Sequence, residues 1–190
     1  MRTPLILFFA VLVFLSATLS SGSVGRQLTP APPPLTSLPA SVLDAELKSA
    51  RGRSFKISEY SGKVLVINLW AAWVIPSRLE TPTLVKLQAQ FWSQGVRVIG
   101  LSTENPDEST KEVRDWVRHY RIQYRIGWAT PAVATTLFQG REILPQTYVV
   151  SRTGRVVRRF VGFNYEVSQG LVKEAIQEAL AEKPNLPLPE

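Results

Sequence analysis

Few side chains in this protein could carry chemistry. Its 190 residues include no cysteine and one histidine, His119. Without a thiol the chain can form no disulfide of its own, offer no thiolate to a metal and attack no sulfur. One imidazole is too few for a His-rich metal site, and His119 reads as a residue on the solvated side of a helix. No metal and no cofactor is expected. Ser77 lies in the most suggestive stretch, Trp70–Pro82 (WAAWVIPSRLETP). A serine nucleophile needs a base to take its proton. Nothing nearby in sequence supplies one, so Ser77 reads as a polar residue in a first helical turn. Glu80 and Glu112 have no partner that sequence can establish. Arg114, Arg118, Arg121 and Arg125 are interleaved with Trp116 and Tyr120, a mixture also met in nucleic-acid sites. Helical spacing sends those aromatics to the core and the arginines to water, and no nucleic-acid partner is expected. The formal charge of +7 favours solubility and loose attraction to anions without defining a site.

The hydrophobic pattern marks out the elements that must position these residues. After Arg2, an apolar run from Pro4 to Leu15 falls short of the roughly 20 residues that span a membrane. Residues 1–21 are therefore expected to be a signal peptide or, if the apolar segment is taken over 4–19, an N-terminal membrane anchor. Prolines at 30, 32, 33, 34 and 39 make 22–41 an extended, semi-rigid linker. Residues 183–190 read as a disordered tail. The domain between them, 42–182, opens with two short alternating segments around Ala50–Arg53, a predicted hairpin. Lys63–Trp70 and Val96–Thr103 are near-continuous apolar runs, as in strands buried on both faces. Helices are predicted over 77–92, over 105–120 with Pro106 in its first turn, and over 130–138 with Thr130 as cap. A short strand is predicted over 122–126. A hairpin turns at Arg152-Thr153-Gly154, and a helix over 166–183 closes the domain. Alternation of this kind implies an α/β fold with a parallel start and an antiparallel edge.

At this level of detail the chain resembles the thioredoxin-fold family of exported TlpA- and ResA-like disulfide reductases, related to the redoxins. Lys63–Trp73 (KVLVINLWAAW) is similar to the strand and loop before the family's Cys-x-x-Cys. Arg78–Pro82 is similar to the following helix with its internal proline. Val96–Thr103 is similar to the next strand, and Leu144–Val150 with Arg152–Arg155 to the cis-proline strand and its hairpin. The resemblance implies a thioredoxin-like α/β fold, a central mixed sheet flanked by helices, with an extra N-terminal β-hairpin. It also places the family's two cysteines on Val74 and Ser77, with only the intervening Pro76 retained. Thiol–disulfide exchange runs through a thiolate and a mixed disulfide, so the reductase activity is expected to be absent. Asn68 occupies a strand position where cytosolic thioredoxins carry a buried acid, and no proton-handling group is expected there.

A cysteine-independent use survives in the resemblance. The residue before the cis-proline, here Leu144 before Pro145, offers its backbone to an extended peptide. With the apolar loop Trp73-Val74-Ile75-Pro76 it would make a peptide groove; alternatively Val74 and Ile75 fill that space. The expected function is a non-catalytic thioredoxin-like domain of the cell envelope that binds a protein or extended peptide. The alternatives are a family-type oxidoreductase assigned by fold, or a structural envelope subunit. The resemblance points to envelope redox or cytochrome c maturation components as partners. With residues 1–21 read as a signal peptide or N-terminal anchor, the protein is expected to be exported, periplasmic or on the outer face of the cytoplasmic membrane.

Overall fold

The computed structural model describes residues 33–182. The predicted signal or anchor segment, the linker up to residue 32 and the tail 183–190 lie outside the described residues. A four-residue helix, α1 (Ala40–Leu43), leads into two short antiparallel strands, β1 (Leu47–Lys48) and β2 (Ser54–Phe55). The predicted extra hairpin is therefore present. It shrinks to two residues per strand because a 3-10 turn over Ile57–Tyr60 takes up its second arm.

The main alternation follows: β3 (Val64–Trp70), α2 (Ile75–Phe91), β4 (Val96–Ser102), α3 (Pro106–His119), β5 (Arg125–Trp128), α4 (Pro131–Phe138), β6 (Gln146–Val150), β7 (Val156–Val161) and α5 (Ser168–Ala181). Every residue of β3 is buried, as its unbroken apolar run requires. The caps of α3 and α4 also follow from sequence. Asn105 Oδ1 accepts from the Asp107 amide at 3.1 Å, and Thr130 Oγ1 from that of Val133 at 3.3 Å. The strand predicted over 122–126 begins instead at Arg125 and runs on through Gly127 and Trp128. Ile122 and Tyr124, which precede it, are buried in the core beside Val113 and Trp116.

Five strands form one mixed sheet in the order β5-β4-β3-β6-β7. β3, β4 and β5 run parallel, while β6 and β7 complete the sheet antiparallel. One face packs Val64, Val66 and Trp70 against α2, α3 and α5. The other packs Leu65, Ile67 and Leu69 against α4 and the N-terminal elements. The small hairpin lies along β5, where the Ala50 amide donates to the Ile126 carbonyl at 3.0 Å and Ser49 bridges Gly127. Part of the segment read as linker also joins the domain. Leu38 is buried, Ser37 bridges Arg155, and the Thr36 carbonyl accepts from the Val156 amide at 2.8 Å. No helix among the described residues is long and apolar enough to cross a membrane.

Candidate functional site

Sheet register gathers the predicted site at one end of the molecule. Leu69 pairs with Gln146, and Trp70 with Ser102. The loop after β3, the Leu144-Pro145 segment before β6 and the turn after β4 therefore leave the sheet side by side. The Leu144–Pro145 bond is cis. Pro145 is buried and its carbonyl accepts from the Gly162 amide at 2.8 Å, whereas among the described residues nothing hydrogen-bonds the backbone of Leu144.

The loop itself is held at one peptide unit on each side of Ala72. Glu104 Oε2 accepts from the Ala72 amide at 2.9 Å and from Ser102 Oγ at 3.0 Å. Arg78 Nε donates to the Ala72 carbonyl at 3.0 Å, with its guanidinium 5.8 Å from the centre of the Trp116 ring. Helix α2 then starts at Ile75, two residues earlier than the apolar spacing suggests, because Pro76 in its first turn has no amide to leave unpaired. Val74 and Pro76 are half-buried. Trp73 and Ile75 project outward, 72% and 68% exposed, so Ile75 does not fill the space beside Pro145.

Ser77 is buried, and its Oγ has no hydrogen-bond partner among the described residues. One turn further along α2, Glu80 is 3% exposed. Its Oε2 accepts from Asn68 Nδ2 at 2.7 Å and its Oε1 from Thr147 Oγ1 at 2.7 Å, while Asn68 Nδ2 also reaches Thr147 Oγ1 at 3.0 Å. Burial pushes the Glu80 carboxyl up to about 7, against the hydrogen bonds from Thr147 and Asn68, which pull the other way. Burial, reinforced by the charge of Glu80, likewise raises the Tyr124 phenol. The strand position itself thus carries no acid, and a buried acid is supplied nearby from another element. The acid comes from α2 rather than from the strand, and Asn68 is its donor. A carboxyl poised near neutrality suits proton transfer, yet the neighbouring Ser77 hydroxyl makes no hydrogen bond to it.

The structure brings Trp73, Val74, Ile75, Pro76 and Ser77 to the same end of the sheet as Leu144 and Pro145. Sequence reasoning named Glu80 without a partner, and it missed Thr147, Arg78 and Glu104. The available signal for Glu80 was its position one turn after Ser77 on the same helix. His119 is exposed, its ring edge-on to Tyr120. Of the four arginines assigned to solvent, Arg125 instead sits half-buried over Phe55, and Trp116 stacks on Trp70 with ring centres 4.9 Å apart.

Comparison with known proteins bears on this arrangement. The profile of the AhpC/TSA family matches residues 40–159. Thiol-disulfide oxidoreductase ResA of Bacillus subtilis is 25% identical over 116 residues, covering 61% of this chain and 63% of ResA. Thiol:disulfide interchange protein HelX of Rhodobacter capsulatus is 28% identical over 121 residues, covering 63% of this chain and 62% of HelX. The chain thus spans less than two thirds of the length of these relatives. The crystal structure of a thiol:disulfide interchange protein of the thioredoxin family from Chlorobium tepidum superposes with a TM-score of 0.61 at 23% identity, covering 79% of this chain and 99% of that one. The fold is thioredoxin-like.

Proposed function

The chain belongs to the AhpC/TSA family, and from that membership we propose a non-catalytic thioredoxin-like domain of the cell envelope that binds a protein or extended peptide through the groove between Trp73–Pro76 and Leu144-Pro145. The observation that carries this reading is the pairing of two large exposed apolar side chains, Trp73 and Ile75, with the unbonded backbone of Leu144. An extended segment added there gains main-chain hydrogen bonds from Leu144 and side-chain contact from the loop, as in strand addition generally. Disulfide exchange has no route, because positions 74 and 77 carry valine and serine and the chain has no other thiol. Export is part of the proposal and rests on the apolar run of residues 4–15. Envelope redox and cytochrome c maturation components are the first partners to try.

The test uses one preparation of the full chain. Insulin reduction in dithiothreitol is measured beside a Val74→Cys/Ser77→Cys variant, and binding to an array of extended apolar peptides beside Trp73→Ser and Ile75→Ser. The native chain is expected to add nothing to the dithiothreitol background, while the double-cysteine variant turns insulin over. Peptide affinity is expected to fall about tenfold with either serine substitution, as for loss of an interface anchor. Turnover by the native chain would overturn the non-catalytic reading. Peptide binding indifferent to both substitutions would overturn the groove.

A further inference from the structure

At the opposite end of the sheet from the Trp73 loop, where β4 and β5 begin, lies a cavity of about 310 Å³. Arg51, Arg97 and Arg125 all line it, and no aspartate or glutamate among the described residues does. None of the ion pairs among the described residues engages these three guanidinium groups. Two are nevertheless held in place. Arg97 donates to the carbonyls of Trp92 and Val96 at 3.0 and 2.7 Å and lies 3.4 Å from the centre of the Trp92 ring. Arg125 donates through Nε to the Tyr60 hydroxyl at 2.9 Å. The remaining walls are largely apolar, supplied by Val98, Val117 and Ile126.

Three like charges around one partly enclosed space repel one another unless an anion joins them. Guanidinium is also the side chain best shaped to grip a phosphate or carboxylate. The volume sits at the small end of ligand pockets. We propose that this cavity binds a small organic anion, with a phosphate or carboxylate head held by Arg51, Arg97 and Arg125 and an apolar body lying against Val98, Val117 and Ile126. The site is independent of the peptide groove and shares no residue with it.

The probe is 1-naphthyl phosphate, titrated calorimetrically into the full chain, with 1-naphthol and inorganic phosphate as controls. Saturable binding of the naphthyl phosphate is expected, about tenfold tighter than either control, since each half of the site contributes. Arg125→Gln and Arg51→Gln should each weaken it by roughly tenfold, the loss of one charge-assisted contact. Arg51 lies on an exposed turn, so its substitution reports on binding even where Arg125→Gln fails to fold. Trp73→Ser should leave the titration unchanged, which separates this site from the groove. Absence of saturable binding, equal binding of 1-naphthol, or no effect of Arg51→Gln would overturn the proposal. Cosedimentation with phosphatidylglycerol vesicles, competed by 1-naphthyl phosphate, would assign the head group to a lipid. Vesicle indifference with naphthyl phosphate bound would assign it to a free solute. Either result upholds the site.

Discussion

Position 77 carries a hydroxyl in a space that gives it nothing to bond. Ser77 is 1% exposed and its Oγ lacks a partner among the described residues. A weakly hydrogen-bonding thiol would lose little in such surroundings, but a buried hydroxyl left unpaired costs about 1–3 kcal/mol. Ser77→Ala is therefore expected to raise stability by about 1 kcal/mol in urea unfolding, allowing for the small volume removed. Glu80 makes a pH-dependent contribution of the opposite kind to a salt-bridged acid. Its carboxyl stands near 7 in the folded protein against 4.5 as the reference value. Between those values the unfolded chain has released the proton that the native chain still holds. Stability is thus fully present below the lower value and falls as pH rises through the upper one, by about 3 kcal/mol in all. Urea unfolding of the wild type across pH 4–8 should show this decline, and Glu80→Gln should flatten it. A wild-type curve that rises across that window would contradict the buried acid.

Among the elements, the clearest dependence on close contact is that of β5 on the small hairpin. A β-carbon at Gly127 would stand 2.6 Å from the Lys48 carbonyl oxygen and 2.7 Å from the Phe55 ring. Gly127→Ala should therefore destabilise by about 2 kcal/mol through overpacking and speed amide exchange at Ala50, whose hydrogen bond joins the two elements. Unchanged stability would mean that the hairpin can lift away freely. The elements themselves were mostly legible in the sequence. β3 and β4 are apolar runs too short and too β-branched to be helices, and Asn105-Pro106 and Thr130-Pro131 announce helix starts by their chemistry. The loop Trp73–Pro76 and Leu144-Pro145 could be placed because a resemblance supplied the strand order. The Glu80 cluster was not legible. Thr147 is 67 residues away along the chain, and only the pairing of β3 with β6 brings it to hydrogen-bonding distance. The hold of Glu104 on Ala72 escaped for the same reason, being 32 residues away along the chain, whereas the Arg78 bond spans six residues and depends on how the loop folds back on the start of α2.

At the scale of the molecule, the segment from Thr36 to Leu38 behaves as part of the domain. Leu38 is 5% exposed within the core on the α4 face of the sheet. Leu38→Ala should cost about 2–3 kcal/mol in a thermal or urea unfolding measurement, as for other buried leucines; a loss below a few tenths would show that the segment merely lies on the surface. Thr36 and Ser37 engage only the first residues of the β7 hairpin arm, whereas Ser49 and Ala50 close off β5 on the far side of the sheet. Unpaired strand borders are what let one copy of a protein recruit the next. Here one border is already taken, and the strands that take it are two residues long, so among the described residues the long border open to a second copy is the outer strand near 157–161. Such a pairing uses the same border on both copies and exhausts it. Self-association by strand addition along that strand would therefore join two copies and occupy the longest free border that the described residues offer.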